Sequence, residues 1–435
     1  MPPETQLPRS LPSHTGLPLG WRPSAGPGLG FDSEPHRPPP AELLSYAGDA
    51  HLMTVAPTGA GKGVSVVVPT LLTYPGPMVV FDTKGELYNI TARRRRELGQ
   101  TVYKLDPFGV IEDSSDSLNP LDLFTLPGAD MDSDAQSLAH MMSVGNRGVK
   151  DPFWDLNACG LHSGIIGHLA SLHKTEPQGF IRVCELLMAD DVVYGLAVLL
   201  DTMGKKMPKM AYREIAAFLQ MSERDTRPGV LATAQSYIKA MNGERVGRTV
   251  ENSTVPLGAF ARGEPMTIYV VIPPDRLESH KGLLKLWVGT LLKAVTSRRV
   301  LPAARTLFML DEAAQLGNFP QLETVITLCR GYGVQCWTFW QDLAQLQGLY
   351  PTGWKTMLNN CGVVQVFGVN NVKMGSDWAE YLPVSTGRLV GMKRDEQVVQ
   401  VAGEGAVVSR RLNYLTDPAF EGLADANPFH SGRGR

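Results

Sequence analysis

An apolar run, His51-Leu52-Met53-Thr54-Val55, leads straight into Ala56-Pro57-Thr58-Gly59-Ala60-Gly61-Lys62-Gly63. Glycines at 59, 61 and 63 suit neither helix nor strand interior, but they let backbone N–H groups curl inward around an oxyanion. A strand that ends in such a turn and hands over to a helix brings the helix's positive end to the same point, and Lys62 adds a full charge. Folding around such a turn restricts the chain to strand–loop–helix units. These pack as a parallel sheet covered on both faces.

The loop departs twice from the full phosphate-binding pattern. Ala56 stands where that pattern has Gly, and Gly63 where it has the Ser or Thr whose hydroxyl helps hold Mg²⁺. An ordinary glycine-rich strand-to-helix turn has a similar composition. If Mg²⁺ binds, water or another residue must fill the place that Gly63 leaves open.

A second apolar run, Leu307-Phe308-Met309-Leu310, ends in Asp311-Glu312. A carboxylate at that strand end lies in the crevice where parallel sheets bind ligands, so Asp311 is a candidate for Mg²⁺ and Glu312 for orienting water. Acids capping the following helix are the plain alternative. Together with the loop, the pair predicts ATP hydrolysis. Gln341 follows the apolar run ending in Trp340, where its amide either senses a γ-phosphate or caps a helix. Arg330 precedes Gly331-Tyr332-Gly333 at a predicted helix C-terminus, where a cation also complements the helix dipole. Asp82-Thr83-Lys84-Gly85-Glu86 points toward the same edge, the Asp reading as a helix cap and the Lys as a phosphate or DNA contact, with neither favoured by spacing. Arg93 to Arg96 read as a solvated face, with polyanion contact as the sharper alternative.

Strand-like runs at 51–55, 78–81 and 101–105 give way to helical periodicity, as at 158–173, 183–200 and 212–221. Strands resume at 267–272, 306–310, 334–340 and 363–367, with helices at 282–297 and 322–329. The predicted organisation is an α/β sheet split by an all-α insertion: 45–125 and 249–428 form the sheet domain and 126–248 the insertion, with a short tail at 429–435. Residues 1–44 carry most of the flexible composition. The first forty hold eleven prolines and five glycines, which predicts a disordered arm.

The 435 residues hold 41 basic and 43 acidic side chains, so no overall basic excess points to nucleic acid, and a polyanion would need a local patch. No run reaches the ~18–20 apolar residues of a membrane-spanning helix, and no secretory leader is visible. Five cysteines without a CxxC pair read as buried reduced thiols.

These residues, in order, resemble the type IV coupling proteins of the VirD4/TraG family. The blocks are Ala56 to Gly63 followed by Val68-Pro69-Thr70-Leu71-Leu72, then Asp82 to Glu86, Leu105-Asp106-Pro107-Phe108 and Asp151-Pro152-Phe153-Trp154. They continue with Val271-Ile272-Pro273-Pro274-Asp275-Arg276, Leu310 to Gly317, Arg330 to Gly333 and Gln341-Asp342-Leu343-Ala344-Gln345-Leu346. The resemblance implies a RecA-like P-loop NTPase sheet flanked by helices, assembled as a homo-hexamer that uses ATP and Mg²⁺. It implies that Pro57, Thr58, Gly59, Ala60, Gly61, Lys62 and Gly63 hold the nucleotide and that Asp311 holds the metal. Glu312 activates water, Gln341 senses the γ-phosphate, and Arg330 acts as a finger in a neighbour's site.

The implied partners are single-stranded DNA carrying a relaxase in the family's manner, or protein effectors, together with a type IV secretion channel. Family members typically begin with a transmembrane anchor, whereas here a Pro-rich arm leads to the first strand. A soluble bacterial cytoplasmic member, or a peripheral one anchored at the inner membrane by another polypeptide, is expected. An FtsK/HerA-like DNA translocase in another process and a non-hydrolysing, nucleotide-dependent adaptor are the rival functions.

Overall fold

The computed structural model describes residues 7–8, 16–22, 41–143 and 152–429. Eleven strands form one sheet: β1 (Leu17–Arg22), β2 (Glu42–Tyr46), β3 (His51–Val55), β4 (Met78–Asp82), β5 (Thr101–Leu105), β6 (Met266–Val271), β7 (Thr306–Leu310), β8 (Val334–Trp340), β9 (Cys361–Val366), β10 (Glu396–Val401) and β11 (Gly405–Arg410). Their order is β2-β1-β11-β10-β9-β3-β8-β7-β4-β6-β5. The strands from β9 to β5 run parallel, and those from β10 outward to β2 are antiparallel.

The parallel part follows from its residues. β3, β4, β6, β7, β8 and β9 are buried along their whole length, which is why they read as mostly apolar runs without polar alternation. Side chains split between two cores as the pleat requires: Leu52 joins one, Met53 and Val55 the other. The helices Val68–Thr73 and Glu86–Glu97 cover the first face. The helix Lys281–Thr296 covers the second with neighbours from the helical region.

Between β5 and β6 the described residues hold helices and no strand, the longest being Phe153–His173. The predicted helical stretch 183–200 is two helices, Ile181–Leu187 and Val192–Met203. The break lies where Asp191 accepts a bond from Tyr194 N at 2.9 Å and starts the second helix. Asp151, the first residue of the Asp-Pro-Phe-Trp block, lies outside the described residues. No described helix is long and apolar enough to cross a membrane.

The predicted disordered arm at 1–44 needs correction. Residues 17–22 form β1, and β2 begins at Glu42; the rest of the arm lies mostly outside the described residues. Leu17, Leu19 and Trp21 alternate along β1 and are buried, a period-two pattern that the surrounding Pro and Gly obscure. Gln365 Nε2 and Gln397 Nε2 both donate to Leu19 O, at 3.0 and 2.6 Å, and Trp21 Nε1 donates to Asp417 Oδ2 at 2.8 Å. Pro18 sits at the register irregularity against β2, where its missing N–H is tolerated.

The Arg93 to Arg96 run is neither a bare solvated face nor a free basic patch. Arg95 is fully buried, donating to Thr267 Oγ1 and to the carbonyls of Leu71, Tyr74 and Gly76. Arg93 pairs with Asp425 and Glu97, and Arg94 with Leu72 O and Glu97. The five cysteines are free, and four of them are buried.

Candidate active site

Four neighbouring parallel strands, β3, β8, β7 and β4, end at one edge of the sheet. From those ends come the 56–63 loop, Gln341, the Asp311-Glu312 pair and Asp82. The loop turns through left-handed backbone at Gly59 (φ +77°) and Gly61 (φ +93°), conformations that a side chain would strain. It then enters a wide first turn at Gly63–Val67, with Ser65 N donating to Gly61 O at 2.9 Å, before the helix Val68–Thr73. A side chain at Gly63 would meet nothing within 4 Å, so glycine there is not required for space.

Lys62 is only 7% exposed. Its Nζ donates to Ala56 O at 2.8 Å and to Pro57 O at 3.4 Å and lies 3.7 Å from Glu312 Oε1. Gln341 Nε2 donates to Glu312 Oε2 at 3.1 Å, linking Lys62, Glu312 and Gln341 through one carboxylate. The helix after Gln341 is capped by Asp342, which accepts from Gln345 N at 2.8 Å, leaving the Gln341 amide for Glu312. Glu312 is the single described non-glycine residue with left-handed backbone (φ +61°, ψ +51°), a conformation that costs about 1 kcal/mol or more. It stands at the N-cap position of the short turn Ala313–Leu316, but its side chain makes no capping bond, so the plain alternative for the acidic pair does not hold for this carboxylate.

Asp311 Oδ1 is buried and has no partner. Burial, then the charge of Glu312, pushes its carboxyl up to about 7, while Lys62 pulls the other way. Burial pushes Asp82 up to about 6, although Asp82 accepts from Lys84 N at 3.2 Å and Tyr88 N at 2.9 Å and so opens the helix Glu86–Glu97. An orphaned, desolvated carboxylate beside a phosphate loop fits a divalent cation, which would relieve both penalties. No cluster of three or more His, Cys, Asp or Glu side chains forms a metal cage among the described residues. The protein would thus supply part of a coordination shell, as expected where phosphates and water complete it.

The loop with Lys62, Asp82, Asp311 and Glu312 lines a cavity of about 540 Å³, and Gln341 stands behind Glu312 outside the lining. The cavity's outer wall comes from residues that the sequence did not single out. Tyr414, Leu415 and Asn427 fold back over the loop, and Asn427 Nδ2 donates to Glu86 Oε1 at 2.5 Å. Arg411 braces the loop from beneath: it donates to Ala60 O at 2.5 Å and stands 4.6 Å over the ring of Phe367. No motif marks this C-terminal segment, since its role depends on a chain reversal that local patterning does not encode.

Arg330 is not in the cavity. It precedes β8 and lies 3.5 Å from Asp49, which precedes β3, so it sits at the opposite end of the strands. A strand of that length separates the two edges by roughly 20 Å. Its side chain is 59% exposed.

Residues 36–389 match the family model described as type IV secretory system, conjugative DNA transfer. The chain belongs to this family. Among curated relatives of this chain, the conjugal transfer protein TraG of Escherichia coli is 28% identical over 370 residues, covering 80% of this chain and 57% of the relative. Protein VirD4 of Rhizobium radiobacter is 30% identical over 341 residues, covering 74% and 46%. The chain thus spans about half the length of the curated relatives it matches.

Among solved structures, the unbound conjugative coupling protein TrwBΔN70 has a TM-score of 0.65 at 14% identity, covering 84% of this chain and 85% of that one. TrwB in complex with ADP and Mg²⁺ gives 0.65 at 14% identity over 83% and 84%. VirB4 of Thermoanaerobacter pseudethanolicus gives 0.54 at 14% identity over 97% and 99%. The fold of this family member is accordingly the RecA-like P-loop NTPase sheet flanked by helices.

Proposed function

We propose that this chain is an ATP-driven coupling protein that recruits DNA–protein or effector substrates and delivers them to a type IV secretion or conjugation channel. The observation that carries the proposal is the linkage of Lys62, Glu312 and Gln341 beside the orphaned Asp311 oxygen, at the ends of three adjacent strands. Membership of the conjugative DNA transfer family supports the process. TrwB has been solved with a non-hydrolysable ATP analogue and with ADP and Mg²⁺, which supports the ligands.

In this reading the loop amides of residues 57–63 and Lys62 hold the phosphates. Lys62 exchanges its carbonyl and Glu312 contacts for phosphate oxygens, which frees Glu312. Asp311 holds Mg²⁺, whose charge, when bound, neutralises the phosphates. Glu312 orients a water and accepts its proton, and Gln341, bonded to Glu312, reports whether the γ-phosphate is present. Arg330 stands too far from its own chain's cavity and serves a neighbour's in a homo-hexamer. The helices between β5 and β6 meet the substrate, and the protein works at the cytoplasmic face of the bacterial inner membrane.

Steady-state ATP hydrolysis with and without single-stranded DNA, on the unsubstituted chain and on Lys62→Ala, tests this. Activity that DNA stimulates and Lys62→Ala abolishes is expected. Substrate transfer that survives Glu312→Gln intact would replace the motor with a nucleotide-dependent adaptor.

A further inference from the structure

A second cavity, of about 480 Å³, shares no lining residue with the first. It is bounded by the end of the helix Arg227–Ile238, the turn Lys239–Met241 and the N-terminus of the helix Lys281–Thr296. That sixteen-residue helix has no side-chain cap, so its positive pole is left to the cavity.

Lys285 lines the cavity one turn into the helix and is 3% exposed. It has neither a hydrogen bond nor an ion pair among the described residues. A largely desolvated ammonium group without a counter-charge is unfavourable, and its neighbour at i−4 is another lysine, Lys281. Three lysines, 239, 281 and 285, face the space against one acid, Glu278, which already pairs with Lys281 at 2.8 Å. Ser236 and Ser279 add hydroxyls to the lining.

We propose that this cavity is an anion site that takes a phosphate group, held by Lys285 and Lys281 at the N-terminus of the helix. Burial, then Lys281, pushes the Lys285 ammonium down to about 8, a penalty that a bound oxyanion would reverse. The other titrating groups do not obscure this. His280 is held low by burial, and Tyr237 is held high by burial and by its bond to Asp155, so neither changes charge near pH 8. The phosphate comes either from a free phosphate ester or from the backbone of a nucleic acid strand. A Cβ built at Gly317, just after the Glu312 turn, would lie 3.5 Å from the Lys281 stem, so the two segments pack against each other.

The test is amine labelling of the full chain with acetic anhydride across a pH series, read lysine by lysine by mass spectrometry. Inorganic phosphate is added in one arm and single-stranded oligothymidylate in another. Protection of Lys285 by roughly tenfold, with its labelling midpoint moved upward from about 8 and exposed Lys174 unchanged, is expected in at least one arm. Protection by phosphate assigns a free phosphate ester, and protection by the oligonucleotide alone assigns a strand backbone. Unchanged Lys285 labelling in both arms overturns the proposal.

As a second measurement, protection of Lys281 should disappear in Lys285→Met; its persistence also overturns the proposal. The same spectra report Lys62 in the presence of ATP. Protection at Lys62 without protection at Lys285 removes this inference alone, and the reverse removes only the nucleotide reading of the 56–63 loop.

Discussion

At the residue scale the site holds its charges under tension. Lys62 and Glu312 neutralise each other at 3.7 Å, while Asp311 has no partner for its buried oxygen. Glu312→Gln keeps the shape and the Gln341 contact but removes the proton acceptor, so kcat should fall by about 10²–10³-fold with nucleotide affinity retained. Equal losses in affinity and kcat would instead mark Glu312 as a binding residue. The raised Asp311 carboxyl makes a separate statement about stability. Its folded value, about 7, lies above its ordinary 3.8, so the folded chain binds the proton more tightly than the unfolded chain. That contribution is present below the ordinary value and is lost as pH rises through about 7. Asp311→Asn should therefore raise the melting temperature of the ligand-free protein by about 1–4 °C at pH 8, and by less at pH 5. A difference that is flat or reversed with pH contradicts the assignment.

At the element scale, legibility followed burial. The parallel strands are apolar on both faces and stand out as runs, and the loop and Asp311-Glu312 were visible because they terminate such runs. β10 was not, because Glu396-Gln397-Val398-Val399-Gln400-Val401 mixes polar and apolar residues. Gln397 is nonetheless buried, bonded to Leu19 O, Ser409 Oγ and Gln365, a network that only the assembled sheet creates. β1 was hidden by the prolines around it, and the Arg93 to Arg96 run misled because the partners of Arg95 are carbonyls and a threonine hydroxyl rather than acids. Trp21 is the fully buried anchor of β1, and its indole N–H reaches Asp417. Trp21→Ala should cost about 3–5 kcal/mol, read as a lower denaturant midpoint at unchanged slope. A loss below 1 kcal/mol would show that β1 contributes little to the fold.

At the scale of the whole molecule, the parallel strands keep Lys62 and Arg330 at opposite edges, a separation that no side-chain rotation bridges. Lys62→Ala and Arg330→Ala should each be inactive alone, yet a mixture should recover part of the activity. In the proposed hexamer, one kind of interface in a mixed ring would pair an intact loop with an intact arginine. A mixture as inactive as its components would place the arginine's role elsewhere. The same long-range geometry joins the start of the described chain to its end, since β1 pairs with β11 and residues 411–427 close the cavity over a loop at 56–63. The order of synthesis then matters. At ~5–20 residues per second, the loop leaves the ribosome tens of seconds before Arg411, Tyr414 and Asn427 do, and until they arrive its cavity lacks one wall. A polypeptide abandoned part-way through translation would carry the whole phosphate loop and still be a poor competitor for cellular ATP.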